Sequence, residues 1–292
     1  MDPIKDLNQF KKRVLIFSNV NDIAAGGRST GKIETNKTLH GIAFVCRGSG
    51  TGLTRAQIIA DLSSVIIRAE GKVIRELTVT QILDLYKHYN DDKGAFTVEG
   101  ILPVEFAQNA MDLAQLNNDY AIGMMRNGKP MTLTYEINYD ATITTLDEIE
   151  VRAIVDDRVQ EFGKHTRIIP HTRTFSSTGA QDITDPSKGD GSSAMLAYHF
   201  VLGSGVISQI TAKEGTQEVY DQLPRELLEL MLNNSGRKVQ SGYFHVPFNL
   251  DNDPRSKQPL GPMTPSWLLQ PNWSTSPAGS YTILEEREHL KL

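Results

Sequence analysis

The chain has 292 residues, of which 39% are hydrophobic and 22% are charged, and its formal net charge at pH 7 is −5. This composition excludes a disordered chain, and the acidic balance disfavours a general nucleic-acid binder, so we expect no sequence-specific contact with nucleic acid. The single cysteine, Cys46, excludes an intrachain disulfide and a zinc site built from several cysteines.

The first 20 residues are predicted to form an N-terminal arm. Its start carries mixed charges and has no apolar core, so we expect no signal peptide. No later stretch approaches 18 consecutive apolar residues, and we therefore expect no membrane-spanning helix. The arm is locally basic because of four residues: Lys5, Lys11, Lys12 and Arg13.

Short β-type segments follow one another along most of the chain. The clearest is residues 131–140, in which apolar residues from Met131 to Tyr139 alternate with polar ones at a period of two. This alternation predicts a strand with one buried face. Further β-rich runs, many of them bounded by turn-forming residues, are predicted at 39–47, 63–69, 95–106, 196–202, 206–212 and 242–249.

Helical spacing is rarer and occurs in short segments such as 54–62. One apolar helix face is predicted between Val79 and Tyr86, with Thr78 available as its cap. A second helix, with Pro224 in its first turn, has a predicted apolar face formed by Leu223, Leu227, Leu230 and Met231. Mostly short strands with few helices between them are typical of a sandwich or a barrel.

The two halves of the sequence share a faint internal repeat. The matched segments, which keep the same order in both halves, are 29–31 with 177–179, 44–50 with 200–205, 66–71 with 210–215, 79–86 with 224–231 and 94–98 with 242–246. Each single match involves common residues, but the shared order indicates a duplication. The alternative is two unrelated β-domains with ordinary turn chemistry.

The duplication predicts the architecture of the chain. Each half contains about eight strand candidates with one helix midway, which fits a jelly roll of two four-stranded sheets. We therefore predict a mainly β protein with two tandem eight-stranded jelly rolls, a double jelly roll, and short helices in the connections. The predicted segments are an arm at 1–20, a first jelly roll at 21–150 and a second at 165–292. Predicted core and turn residues are Phe44, Leu133, Tyr135, Phe200, Gly71 and Gly215.

A proline-rich segment distinguishes the second half. Seven of the 13 prolines lie between Pro247 and Pro277, and this stretch also contains both tryptophans, Trp267 and Trp273. Because proline fixes φ and removes a hydrogen-bond donor, we predict a non-sheet loop or arm at 247–277. The tryptophans indicate either a contact surface for other molecules or a loop folded over its own barrel, and the sequence leaves both open.

A resemblance to a known family rests on segments in both halves. These segments are Ala24–Gly26, Thr54–Ile58, Glu70–Lys72, Leu77–Tyr86 and the run from Ala197 through Gly215 to Leu230. In order and spacing they resemble the double jelly-roll major capsid proteins of membrane-containing icosahedral phages, the corticovirus type. The resemblance implies a structural protein with no catalytic residues.

The same resemblance implies how such a chain is used. Three copies would form a trimeric capsomer that is pseudo-hexagonal because each chain supplies two similar jelly rolls. Capsomers would tile an icosahedral shell over an internal membrane. Expected partners are further copies of the chain, neighbouring capsomers, vertex (penton) proteins and membrane-associated virion proteins. The protein would be made in the host cytoplasm and reside in the virion.

The resemblance also gives the basic arm a role. Facing inward, it would lie against anionic lipid headgroups, where each basic residue contributes about 1 kcal/mol of attraction near the surface. A solvated, disordered terminus is the alternative interpretation.

The motifs that would indicate phosphate binding, a reactive cysteine or a metal site are incomplete in this sequence. Gly26–Lys32 matches the start of a phosphate-binding loop, but Ile33 stands where a Ser or Thr must hold Mg²⁺. Cys46 lies in a strand-like run and is predicted to be a buried structural cysteine. The seven histidines lack metal-ligand spacing along the chain, although His199 and His245 occupy similar strand contexts and could be neighbours in the fold.

Two acidic clusters offer oxygen ligands for a structural Ca²⁺ ion. The candidate ligands are Asp185, Asp190, Asp251 and Asp253. Their spacing is not that of an EF-hand, and ordinary turn formation explains the same residues. Structural Ca²⁺ is therefore a hypothesis, and no other cofactor is predicted.

A carbohydrate-binding or glycan-acting double β-domain is the alternative function. Carboxylate pairs for glycoside hydrolysis are brought together by the fold, so their absence cannot be deduced from sequence spacing. Such sites usually display exposed aromatic residues, whereas aromatics are only 7% of this chain and are scattered apart from the two tryptophans. The composition therefore favours the shell protein.

Overall fold

A computed structural model describes residues 12–90, 100–106, 120–175, 177–184, 193–203, 205–249, 258–260, 267–275 and 279–290. The chain divides between Ile168 and Ile169 into two compact units. Within the described ranges, no helix is long and apolar enough to cross a membrane.

The first unit is built from two main antiparallel sheets and a separate two-stranded ribbon. Its strands are β1 (Arg13–Val20), β2 (Arg28–Glu34), β3 (Thr38–Gly48), β4 (Thr51–Gly52), β5 (Leu62–Ala69), β6 (Lys72–Thr78), β7 (Ile101–Glu105), β8 (Met125–Arg126), β9 (Lys129–Pro130), β10 (Thr132–Tyr139) and β11 (Glu148–Asp156), and its helices are α1 (Arg55–Asp61) and α2 (Val79–Asn90). One sheet has the order β1-β11-β3, with β7 and β4 also paired to β3; the other has the order β6-β5-β10-β2. This interleaving of early and late strands is the order of a jelly roll.

Strand β10 supplies much of the core of the first unit. Leu133, Tyr135, Ile137 and Tyr139 are buried, and they alternate with partly exposed polar residues. The Tyr135 ring meets the Phe44 ring of β3 edge-on, with 5.7 Å between the ring centroids. The predicted half-buried strand and the predicted core residues of this unit are therefore confirmed.

The second unit repeats the same plan. Its strands are β12 (His165–Phe175, in this unit from Ile169), β13 (Gly179–Ala180), β14 (Ile183–Thr184), β15 (Ser193–Val201), β16 (Val206–Glu214), β17 (Gln217–Pro224), β18 (Tyr243–Pro247), β19 (Gln258–Leu260), β20 (Trp267–Thr275) and β21 (Gly279–His289), and its helix is α3 (Arg225–Asn234). One sheet runs β12-β21-β15-β18, with β19 also paired to β15. The other runs β20-β16-β17, with β13 and β14 paired to β20.

The strand orders of the two units coincide, which confirms the predicted double jelly roll. Phe44 and Phe200 lie on the third main strand of their units, and both are fully buried. The following hairpins turn at Gly71 (φ +81°) and Gly215 (φ +59°), where a left-handed backbone favours glycine. A helix follows the fifth main strand in both units. The predicted match of 94–98 with 242–246 falls partly outside the described residues.

The predicted arm at 1–20 is wrong for residues 13–20, which form the edge strand β1. Val14 pairs with Ile154 and Ile16 pairs with Arg152, so the backbone of β1 is hydrogen-bonded to β11. Residues 14–17 are four consecutive apolar residues followed by Ser18 and Asn19, so no period-two alternation marked this strand in the sequence. Lys12 is exposed just before β1, and Lys5 and Lys11 lie outside the described residues.

The predicted non-sheet loop at 247–277 is wrong for residues 258–260, which form β19 paired with β15, and for residues 267–275, which form the inner strand β20. Proline is tolerated there because Pro271 lies opposite the gap between β13 and β14. The carbonyl oxygen of Pro271 accepts a hydrogen bond from Gln181 N at 3.0 Å. Because the nitrogen and the carbonyl of one strand residue point to the same side, the nitrogen of Pro271 also faces this gap. No ladder hydrogen bond is lost at that point, which is the condition under which a strand accepts proline.

Candidate functional site

The two tryptophans, predicted as contact residues, lie in the core of the second unit. Trp267 is 4% exposed and Trp273 is 1% exposed. The Trp273 ring packs against Tyr281, with 4.8 Å between centroids, and Trp267 packs against Phe248 at the same distance. The interpretation of these residues as a contact surface is therefore wrong, because aromatic rings on a strand that alternates inward must fill the barrel.

Gly205 explains how Trp273 fits into this core. A Cβ atom at position 205 would lie 2.6 Å from Cζ3 of Trp273 and 3.0 Å from the Tyr281 hydroxyl. Because real Cβ atoms do not approach so closely, only glycine leaves room for the indole ring. The Gly-Ser-Gly run that appeared in the sequence repeat thus has a packing function in the second unit.

His199 and His245 face each other, as their strand contexts suggested. They are register partners on β15 and β18, and their Nδ1 atoms are 2.8 Å apart. The Nε2 atom of His199 lies 3.3 Å from the Glu286 carboxylate, within hydrogen-bond distance. One ring nitrogen of the His199–His245 pair donates to the other. This buried chain of hydrogen bonds joins three strands of one sheet.

A second buried carboxylate, which the sequence did not reveal, lies one residue away on β21. Glu285 forms an ion pair with Arg287, and His171 Nε2 lies 3.3 Å from the Glu285 carboxylate. Consecutive acidic residues on a strand normally indicate a solvated face, so composition gave no sign of burial. These groups are paired side chains within the second unit.

In the first unit, Asp156 holds two strands together. His40 Nε2 donates a hydrogen bond to the Asp156 carboxylate at 2.7 Å, and the Arg158 guanidinium donates two more at 2.9 and 2.6 Å. Burial alone would raise the pKa of Asp156, but these hydrogen bonds outweigh burial and lower the pKa from 3.8 to about 2. The group is therefore a permanently charged structural anchor at neutral pH.

Cys46 and the glycine-rich segment also have structural roles. Cys46 is buried in β3, and burial raises the pKa of its thiol to about 12, so the reactive thiolate is not formed at neutral pH. The predicted buried cysteine is confirmed. Gly26 lies in a turn and residues 28–32 belong to strand β2, whereas a phosphate-binding loop opens a helix.

A shallow groove of about 320 Å³ lies on the second unit along β16, β17 and β20. Its lining is polar, with Gln209, Gln270 and Asn272 beside a Lys213–Glu218 ion pair of 2.7 Å. None of the residues that line it is aromatic. The groove therefore does not provide the stacking surface that the carbohydrate alternative requires.

The predicted calcium ligands Asp185, Asp190, Asp251 and Asp253 all lie outside the described residues. The calcium hypothesis stays a prediction.

Family models match both halves of the chain. The model for the viral coat protein P2 N-terminal domain matches residues 15–159, and the model for the C-terminal domain of the same protein matches residues 165–287. None of the curated proteins compared gives a significant match.

Solved capsid structures share the fold over nearly the whole chain. The major capsid protein P2 of bacteriophage PM2 has a TM-score of 0.80 at 15% identity, covering 97% of this chain and 98% of that one. The major capsid protein of Sulfolobus turreted icosahedral virus has a TM-score of 0.64 at 10% identity, covering 96% and 97%. The capsid protein of the virus PBCV-1 has a TM-score of 0.58 at 9% identity, covering 96% and 94%.

These matches decide between the two predicted functions. Two jelly rolls with the same strand order occur in one chain, the candidate residues Cys46, His199 and His245 are buried within them, and the family models cover both units. The chain belongs to the viral coat protein P2 family, and it is a structural, non-enzymatic protein of the virion shell.

Proposed function

We propose that three copies of this chain form a pseudo-hexagonal capsomer of an icosahedral shell. The observation that carries the proposal is the coincidence of strand order in the two units. A closed ring of three chains then contains six similar β-domains, which gives six near-equivalent corners from three identical subunits. Neighbouring capsomers, vertex proteins and membrane-associated virion proteins are the partners that such a shell requires.

Electron microscopy of the purified protein tests this arrangement. Class averages are expected to show a three-fold particle with a six-lobed outline. Two-lobed single particles, or particles with two-fold symmetry, would contradict the trimeric capsomer.

We also propose that the residues before β1 contact the anionic surface of an internal membrane. Lys12 is exposed beside β1, and Lys5 and Lys11 precede it in the sequence. Arg13 contributes less because it forms a 2.6 Å ion pair with Asp157. Three lysines near anionic headgroups give about 3 kcal/mol of attraction, which falls with added salt.

Flotation with lipid vesicles tests the membrane contact. The wild-type protein is expected to float with anionic vesicles at low salt. A variant with Lys5, Lys11 and Lys12 replaced by Glu is expected not to float with them. The control replaces the exposed Lys72, Lys87 and Lys129 by Glu and has the same net charge. Equal loss in both variants would show a general charge effect and contradict a specific arm.

A further inference from the structure

The sequence contains one Asn-Gly pair, Asn127–Gly128, and this pair forms the turn of a hairpin in the first unit. Strands β8 and β9 pair directly on either side of it, which leaves a turn of two residues. The φ angles are +52° at Asn127 and +73° at Gly128. Two consecutive residues in the left-handed region are typical of a type I′ turn, in which asparagine followed by glycine is a preferred pair.

The side chain of Glu161 caps this turn. Asn127 N donates a hydrogen bond to Glu161 Oε2, and Gly128 N donates one to Glu161 Oε1, both at 2.9 Å. Both oxygens of one carboxylate are thus used on consecutive backbone N–H groups. Such charge-assisted hydrogen bonds are stronger than those to a neutral acceptor. The turn is therefore held by a side chain that lies 33 to 34 residues later in the sequence.

The backbone keeps Glu161 in this position. Met125 N of β8 donates a hydrogen bond to Gln160 O at 3.1 Å, and Phe162 N donates one to Met125 O at 2.6 Å. The same segment passes so close to Gly123 that a Cβ atom there would lie 2.3 Å from Glu161 O. Glycine at position 123 therefore allows this segment to run beside β8 and to present the carboxylate to the turn.

An exposed Asn-Gly turn is chemically able to modify itself. The nitrogen of Gly128 can lose its proton and attack Cγ of Asn127: the N–Cγ bond forms, the Cγ–Nδ2 bond breaks, and ammonia leaves with the proton. Water then opens the resulting cyclic succinimide at either carbonyl and gives an aspartate or an isoaspartate linkage. Glycine permits the attack because it has no Cβ in the way, and no atom lies within 4 Å of the position that a Cβ of Gly128 would occupy.

Glu161 opposes the first step of this reaction. The nitrogen that must attack is the one that donates to Glu161, so the attack requires the loss of this hydrogen bond. Deprotonation of Gly128 N would also place a negative charge 2.9 Å from an oxygen of the carboxylate, and like charges at this distance repel each other. We propose that Asn127 is a self-modification site of this chain and that Glu161 keeps it in the unmodified form.

The modification would disrupt the hairpin. An isoaspartate linkage lengthens the backbone of a two-residue turn, which no longer matches the pairing of β8 with β9. An aspartate at position 127 would instead add a negative charge beside the Glu161 carboxylate. Either product weakens the contact between the turn and Glu161. Because the lost ammonia is not returned, the rate of the first step sets the lifetime of the turn.

The rate of deamidation at Asn127 tests the proposal. The full-length protein is incubated at mildly alkaline pH, and peptide mass spectrometry gives the fractions of asparagine, aspartate and isoaspartate. The variants are Glu161→Gln, which removes the charge and keeps the size, and Glu161→Ala, which removes both acceptor oxygens. The matched control is Glu76→Gln, which neutralises an exposed glutamate of β6. The same four proteins in urea give the rate of the unfolded chain.

We expect the native wild type and the control to deamidate at least about 10-fold more slowly than the unfolded chain, the factor expected for one charge-assisted hydrogen bond. Native Glu161→Gln and Glu161→Ala are expected to approach the unfolded rate. In urea, where the cap is absent, all four proteins are expected to react equally. Circular dichroism checks that the native variants are folded.

Two results of the rate measurement would overturn the proposal. A native wild-type rate equal to the rate in urea would show that the turn is not protected. A slow rate in both folded Glu161 variants would assign the protection to the turn itself.

Hydrogen exchange of the wild type gives a check that needs no variant. The Gly128 amide is expected to exchange at least about 10-fold more slowly than in an unstructured peptide, because Glu161 accepts its proton. Exchange at the peptide rate would also overturn the proposal. None of these results depends on the number of chains in the capsomer, so the proposed function is tested separately.

Discussion

The carboxylate of Asp61, at the end of α1, lies 2.7 Å from the Thr145 hydroxyl in the loop between β10 and β11. It accepts five hydrogen bonds in all, from the backbone and side chain of Thr144 and Thr145 and from the backbone of Leu146. One buried side chain therefore fixes the loop that joins the two sheets of the first unit. No motif marked Asp61 in the sequence, because its partners are 83 to 85 residues away.

Replacement of Asp61 by Ala is expected to destabilise the first unit by about 4 kcal/mol, because three backbone N–H groups lose a charged acceptor in a buried place. Urea denaturation followed by circular dichroism measures the change. The control is Asp84→Ala, which removes only a partly exposed ion pair with Arg55 and is expected to cost less than about 1 kcal/mol. Similar losses in the two variants would show that the Asp61 network contributes little.

Acid is expected to weaken the first unit between about pH 4 and pH 2. The pKa of Asp156 is lowered from 3.8 to about 2 in the folded state, so its contribution is complete above pH 4 and is lost as pH falls through 2. The shift corresponds to about 2 kcal/mol of unfolding free energy. Hydrogen bonds from Thr145 and Thr144 outweigh burial and lower the pKa of Asp61 as well, which adds in the same direction.

The Asp156→Asn variant measures the contribution of this group to the acid transition. Its unfolding free energy is expected to be lower than that of the wild type at pH 7 and to change less between pH 4 and pH 2. An unchanged pH dependence in the variant would assign the acid sensitivity to other carboxylates.

The Gly205→Ala variant is expected to displace the Trp273 ring and to destabilise the second unit by about 2 kcal/mol, because an added Cβ overlaps the indole. Tryptophan fluorescence reports the change directly, since the chain has only two tryptophans and both are buried. The matched control is Gly203→Ala, where no atom lies within 4 Å of the added carbon. Equal emission spectra and stabilities for both variants would contradict the packing argument.

Chelation tests the calcium hypothesis. If Asp185, Asp190, Asp251 and Asp253 bind structural Ca²⁺ between subunits, EDTA is expected to reduce the native mass and added Ca²⁺ to restore it. The variant with Asp251 and Asp253 replaced by Asn is expected to have the chelated mass even in Ca²⁺. A native mass unaffected by EDTA would contradict structural Ca²⁺ between subunits and would leave the proposed trimer unchanged.

The sequence predicted the features that depend on local pattern. The alternation at 131–140, the repeated hairpin turns at Gly71 and Gly215, and the strand contexts of His199 and His245 all led to correct conclusions. Hydrophobic periodicity and turn-forming residues act over a few neighbouring positions, so both can be recognised in a single sequence.

The features that depend on distant partners were missed. Proline in the inner strand β20 is acceptable only because Pro271 faces the gap between two short strands. The edge strand β1 takes its conformation from β11, which lies more than 120 residues later. Likewise, α3 has apolar residues on two faces, and the spacing could not show that Leu228 and Leu232, rather than Leu227 and Leu230, point inward.

The native mass of the purified protein tests the central claim most directly. If each chain supplies two jelly rolls to a pseudo-hexagonal capsomer, multi-angle light scattering is expected to give three times the chain mass of 32.4 kDa, or a multiple of that trimer. A monodisperse species of one chain mass at every concentration would contradict the account.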